Sequence, residues 1–246
     1  MCFGVGEATQ NEIAGRVVAV IDVLRASTTV AVALANGAKA VVPCEGSEEA
    51  ITRAKSFERD DVRLAGERRM RAIPGFDLGN SPAEFTRSAV DGKTIVLATT
   101  NGTVAVASLQ GARDVVVASY VNYSVILALL RAALRGGTDV TLLCAGRDKQ
   151  FSLEDSACAG RFVRGLARDN PGIAHNDAAQ ACAILERPYA DDLARLFADS
   201  EHGRALADAG FASDLEMCAT LDAYPVVPVY RDRQITKVGA SIGAGL

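Results

Sequence analysis

The stretch Thr29–Val42 of this 246-residue chain recurs 74 positions later as Thr103–Val116, with nine of fourteen positions identical. Both copies read Thr-Val-Ala-Val-Ala, three variable residues, Gly-Ala, two more, then Val-Val. Each follows an apolar run, Val17 to Ile21 or Thr94 to Ala98, and a polar Ser/Thr loop, so each predicts strand, loop, helix, strand. Such a repeat points to a duplicated unit; the alternative is two unrelated βαβ units. A looser echo continues, with Phe76-Asp77-Leu78-Gly79-Asn80-Ser81 answered by Phe151-Ser152-Leu153-Glu154-Asp155-Ser156. Open α/β sheets bind ligands where a strand's carboxyl end meets a helix's amino end, and this chain has two such loops.

Strands are predicted at 17–23, 40–42, 62–65, 94–98, 114–118 and 140–144, with helices at 28–36, 47–59, 103–109, 124–134 and 153–168. The alternation predicts a three-layer α/β/α fold with a mainly parallel sheet. Residues 12–90 form the first α/β unit and 91–170 the second. After the breaker Asp169-Asn170-Pro171-Gly172 comes a C-terminal segment, 171–246, packed on the second unit. It holds short helices at 177–185, 191–197 and 201–209 and an antiparallel pair, 225–230 with 234–238.

A hydrophobic content of 49% supplies a packed core. Met1 to Glu12 is polar and no apolar run nears the roughly 18 residues that span a bilayer, so the expectation is a cytoplasmic protein with no membrane partner. Six cysteines without C-x-x-C pairs and only two histidines argue against a zinc site or a disulfide framework. A net charge of −4 without a basic run argues against nucleic acid. A homodimer is compatible with this composition, though no residue marks an interface.

The loop Asp22 to Thr29 puts a carboxylate, a guanidinium and three hydroxyls between a strand and a helix. Arg25 and the hydroxyls of Ser27 and Thr28 are suited to a phosphate, although either hydroxyl can equally be a helix cap. The second loop, Thr99-Thr100-Asn101-Gly102-Thr103, is as polar, and Gly102 there permits a positive φ or a close approach to the backbone. Carboxylates follow the other strands: Glu67, a candidate for catalysis with Asp22 and Arg25, then Glu84, Glu154 and Asp155. Oxygen ligands suit magnesium, which Asp22, Glu154 and Asp155 would hold; Glu154 and Asp155 also suit a helix start for its dipole alone. Asn80, Ser81 and Arg147 lie on neighbouring loops as candidate substrate contacts. Cys144 is a nucleophile only if Arg147 or a helix end lowers its pKa, and otherwise a buried inert thiol. Cys158 and Arg164 have the C-x5-R spacing of cysteine phosphatases but fall inside a predicted helix, where no anion loop forms.

Taken together, Ile21-Asp22-Val23-Leu24-Arg25-Ala26-Ser27-Thr28-Thr29, Ala65-Gly66-Glu67-Arg68, Gly75 to Pro82, Thr99 to Thr103, Cys144-Ala145-Gly146 and Phe151 to Asp155 resemble the 2-phosphosulfolactate phosphatase (ComB-like) family over residues 15–230. The resemblance implies a magnesium-dependent phosphomonoester hydrolase that acts on a small anionic 2-phospho-hydroxy acid. In the family this is (R)-2-phospho-3-sulfolactate, on a route toward coenzyme M. Such a substrate carries about four negative charges, so the two loops would divide phosphate from acid groups. Attack by water and a covalent intermediate on Asp22 or Cys144 both stay open. The chain departs from the family pattern at Arg69-Met70-Arg71 and at Arg147-Asp148-Lys149-Gln150, where glycines are expected. Both departures place cations beside ligand loops. A non-catalytic anion-binding protein on the same scaffold is the alternative.

Overall fold

The computed structural model describes residues 1–148, 150–170 and 172–239, so Lys149, Pro171 and residues 240–246 of the C-terminal segment lie outside the described residues. In order, the elements are α1 (Gln10–Ile13), β1 (Val17–Ile21), α2 (Ala26–Ala35), β2 (Ala40–Cys44), α3 (Ser47–Ala54), β3 (Val62–Arg68), β4 (Arg71–Ala72), α4 (Arg87–Val90), β5 (Thr94–Ala98), α5 (Gly102–Ala107), β6 (Asp114–Ala118), α6 (Tyr123–Arg135), β7 (Val140–Cys144), α7 (Leu153–Asp169), α8 (Asp177–Glu186), α9 (Leu193–Asp199), α10 (Glu201–Asp208), α11 (Ala212–Cys218), β8 (Pro228–Arg231) and β9 (Gln234–Lys237). The helix expected over 47–59 stops at Ala54, and a 3-10 turn at Arg59–Asp61 feeds β3. No helix among the described residues is long and apolar enough to cross a membrane.

The strands form one sheet in the order β4-β3-β5-β2-β9-β8-β6-β1-β7. Within it β3-β5-β2 and β6-β1-β7 are parallel triples. The repeat matches β1 with β5, β2 with β6 and β3 with β7, so each triple takes its central strand from the other copy. The units of 12–90 and 91–170 are therefore successive in the chain but interleaved in space. The C-terminal hairpin joins the triples. Its strands pair antiparallel with β2 on one side, Val41 opposite Ile235, and with β6 on the other, Val116 opposite Val229. Three antiparallel steps leave the two triples running in opposite directions.

Burial explains the layers. In α2 every residue from Ala26 to Leu34 is buried, including the hydroxyls of Ser27, Thr28 and Thr29, so the helix sits inside the protein rather than on it. It shares one core with α5 and one face of both triples: Val18 and Val20 of β1, Ile95 and Leu97 of β5, Val115 and Val117 of β6, and Ile235 of β9. The alternate residues of β1, β6 and β7 face an outer layer built on α6 and α7, where Ile126, Leu130, Phe162 and Leu166 fill the core. On the other triple, Val96 and Ala98 face α3 through Ala50. This is the expected three-layer α/β/α arrangement with a mostly parallel, mixed sheet.

Candidate functional site

The amino ends of α2 and α5 meet. A methyl group on Gly102 would lie 2.7 Å from Asp22 Oδ2 and 2.6 Å from Ala26 Cβ, so only glycine lets the start of α5 pack against the loop after β1. The close approach is to protein, and it brings both repeat loops to one cleft of about 490 Å³. Asp22, Arg25, Glu67, Asn80, Thr99, Thr100, Asn101 and Arg147 line that cleft, as do Arg68, Arg69, Met70, Asp148 and His202.

Asp22 is buried, and its Oδ1 accepts from Ala26 N at 3.2 Å. Burial, with the charges of Glu67 and Glu154 added, raises its pKa from the ordinary 3.8 to about 6, against the opposing pull of His202 and the Ala26 N–H. Asp155 is held well above the carboxylate range by burial and then by Asp22 and Glu154. Its Oδ1 accepts from Val23 N at 2.8 Å and its Oδ2 from Gly146 N at 3.1 Å, the latter presented by a glycine at φ 71°. Burial would also raise Glu154, but the His202 ring, with Nδ1 3.2 Å from Oε1, outweighs it and leaves the pKa lowered. Buried like charges of this kind are relieved by a cation.

Glu67 is a brace. Its Oε1 accepts from both Thr100 N and Thr100 Oγ1 at 2.8 Å, and its Oε2 from Met70 N at 2.9 Å. Thr99 and Thr103 close on each other, Thr103 N donating to Thr99 Oγ1 at 3.2 Å and Thr103 Oγ1 to Thr99 O at 3.0 Å. Asn101 Oδ1 accepts from Asp148 N at 3.2 Å.

The family model for 2-phosphosulpholactate phosphatase matches residues 3–233. A probable 2-phosphosulfolactate phosphatase of Symbiobacterium thermophilum is 42% identical over 225 residues, covering 92% of this chain and 95% of the relative. Those of Carboxydothermus hydrogenoformans (40% over 215 residues; 87% and 85% covered) and Clostridium acetobutylicum (31% over 226; 92% and 94%) carry the same name. The chain belongs to the 2-phosphosulpholactate phosphatase family. Within that family it is a phosphoric monoester hydrolase, and the resemblance drawn from the six motifs holds over almost the whole chain.

Several expected contacts of this phosphatase are turned inward. Ser27 Oγ accepts from Asp22 N at 2.9 Å, and Thr28 Oγ1 donates to Val23 O at 3.0 Å and meets Ser119 Oγ at 2.8 Å. Both hydroxyls are spent on the scaffold, but neither caps the helix: Arg25 is the N-cap, with no side-chain capping bond, and Ser27 and Thr28 lie inside α2, bonded back to the loop after β1. Arg25, expected to fork onto phosphate, gives Nη1 to Asp214 Oδ2 at 2.6 Å and Nη2 to Met70 O at 2.9 Å, with its guanidinium 4.4 Å over the Phe211 ring. Ser81 donates to the other Asp214 oxygen at 2.6 Å. Asp214 and Phe211 have no sequence signal as site residues, since α11 is short and aperiodic, and Met70 stood out only within the departure Arg69-Met70-Arg71. His202 looked like an ordinary helical residue of α10.

Cys144 does not reach the cleft. It is fully buried, and burial, with Asp155 next, pushes its thiol well above the usual range. Cys144→Ser is expected to leave turnover unchanged while costing about 1–2 kcal/mol for burying a hydroxyl; loss of turnover in correctly folded variant would reinstate the thiol. Cys158 lies buried inside α7 and Arg164 donates to Glu186, so that pair forms no anion loop.

The donor set narrows the metal expectation. Among the described residues no group of three or more His, Cys, Asp or Glu side chains is disposed to hold a metal ion. Asp155 is the reason, since both of its oxygens face backbone N–H groups. Magnesium usually takes one or two carboxylates along with waters and phosphate; Asp22 lines the cleft, and Glu154 lies behind His202, which meets its Oε1 at 3.2 Å.

Proposed function

We propose that this phosphatase hydrolyses a small 2-phospho-hydroxy acid with magnesium, (R)-2-phospho-3-sulfolactate to (R)-3-sulfolactate and phosphate, on a route toward coenzyme M. The observation that carries the reading is the Asp22–Gly102 contact, which makes one cleft of two loops with opposite chemistry. Asp22 after β1 and Glu154 at the start of α7 suit a hard cation, whereas the Asn101 amide after β5 and the arginines at the end of β3 suit acid groups. A pure anion receptor gains nothing from buried carboxylates that repel its ligand.

Asp22, with Glu154, would hold the ion, and Asp155 would orient the loop by fixing Val23 and Gly146. Magnesium, when bound, would neutralise phosphoryl oxygens and lower the pKa of a coordinated water. The Asn101 carboxamide N–H groups would receive the substrate's acid groups, while Glu67, which takes both donors of Thr100, braces the loop. Phosphoryl transfer depends mainly on such positioning and on electrostatics. Water attacks phosphorus, the bond from phosphorus to the C2 oxygen breaks and the alcohol leaves with a proton from that water; the burial of Cys144 supports this route over attack by the thiol. We place the protein in the cytoplasm, since all six cysteines are free and buried, as a reducing compartment allows.

Phosphate release from the 2-phospho derivatives of sulfolactate, lactate, malate and glycolate tests the reading. Turnover with sulfolactate phosphate ranked first is expected, and release from none of the four would transfer the assignment to a binding protein.

A further inference from the structure

The duplicated scaffold has divided its labour, and one side chain shows how. Register sets Ile21 opposite Cys144 in one triple and Ala98 opposite Gly66 in the other. The residues that follow are therefore counterparts: Asp22 answers Thr99, Val23 answers Thr100, and Ala145 answers Glu67. The Phe76 to Ser81 and Phe151 to Ser156 segments add Gly79 against Glu154 and Asn80 against Asp155. Each of the three acids on the β1 and β7 side thus has a neutral counterpart on the other.

Asp155 is consumed by its own half, where it accepts from Val23 N. The equivalent N–H, that of Thr100, is taken instead by Glu67. Asn80 is left over. It is 5% exposed and lines the cleft, yet its Oδ1 has no hydrogen-bond partner. A buried orphan of this sort calls for an explanation. Its backbone is meanwhile fixed, with Thr29 Oγ1 donating to Asn80 O at 2.9 Å and Ser81 tied to Asp214. Nearby basic side chains differ in the same way. Arg25, Arg147 and His202 face Asp214, Glu201 and Glu154, whereas among the described residues neither Arg68 nor Arg69 has an ion-pair partner. Arg69 and Met70 both have positive φ, 52° and 68°, the pattern of a tight two-residue hairpin turn that aims Arg69 at the cleft mouth.

Building on the phosphatase reading, we propose that Asn80 and Arg69 are specificity residues that grip the substrate's non-transferred acid groups, so that the β3–β5 half of the cleft takes the acid end and the β1–β7 half the phosphoryl end. The ligand class is a phosphate ester bearing both a carboxylate and a second strong acid. The carboxamide presents N–H donors to an anion and an acceptor to a hydroxyl or bridging water, and Arg69 adds an unspent fork.

The test compares kcat/KM for three phosphate esters of secondary alcohols, carrying two acid groups (2-phosphosulfolactate), one (2-phospholactate) and none (isopropyl phosphate), in wild type, Asn80→Asp, Asn80→Ala and Arg69→Ala. Preference for the two-acid ester over the acid-free one is expected to fall about tenfold or more in Asn80→Asp and Arg69→Ala, through KM rather than kcat. Equal losses on all three esters, or a loss in kcat alone, would overturn the proposal. Should wild type release no phosphate, the function fails, yet calorimetric binding of sulfolactate still decides this inference: it weakens in Asn80→Asp if the inference holds and is unchanged if it does not. Thermal unfolding of the exposed-site variant Arg69→Ala separates folding from specificity.

Discussion

Asp22→Asn is expected to lose phosphate release by a factor on the order of 10²–10³ and, at pH 8, to gain stability. The loss follows from removing the charge at the phosphoryl end of the cleft. The gain follows from linkage. The folded-state pKa of Asp22 stands above the ordinary 3.8, at about 6, chiefly because the group is buried. The native state therefore binds its proton more tightly than the unfolded chain does. The stability from this group is full below about pH 3.8 and is lost as pH rises through about 6, a cost of about 3 kcal/mol at pH 8. Asparagine keeps the acceptor for Ala26 N and carries no charge. Its melting temperature should exceed that of wild type at pH 8 by several degrees, with the difference shrinking toward pH 4. A variant that is inactive and no more stable at pH 8 would mean that the carboxylate is not under strain.

Asp214→Ala should destabilise the fold by about 3–5 kcal/mol, because it leaves a charged guanidinium buried without its partner. The side chains of Arg25 and Asp214 are 2% and 1% exposed and 2.6 Å apart. The same change removes the anchor of Ser81 and frees the loop that carries Arg25. Urea unfolding measures it directly. A change below about 1 kcal/mol would show that Arg25 finds another partner or water.

Much of the architecture could be read from residues alone, and the limits have physical causes. The apolar runs at Val17, Thr94 and Val140 are strands because their side chains are buried on both faces, and the helix after Asp22 is likewise buried all round. A repeat states which strands are equivalent but not which ones pair, so the exchange of β1 and β5 between triples was hidden. The hairpin pattern near Val229 was visible, but its place at the centre of the sheet depends on partners roughly a hundred or more residues away. At the site, Asp22, Glu67, Asn80 and the Thr99 loop were legible as polar groups at strand ends. The direction of a hydroxyl was not: Ser27 and Thr28 have the composition of a phosphate loop, yet their hydroxyls turn back to Asp22 N and Val23 O. Asp214 and His202 arrive from segments with no motif, and only packing brings them to the site.

The most direct test of the central claim is phosphate release from (R)-2-phospho-3-sulfolactate as Mg²⁺ is titrated into protein first stripped with EDTA. Release that is negligible without metal, rises to saturation with Mg²⁺ and is lower in Asp22→Asn by a factor on the order of 10²–10³ at every concentration is the expected result. Full activity in EDTA, or no release at any Mg²⁺ concentration, would contradict it.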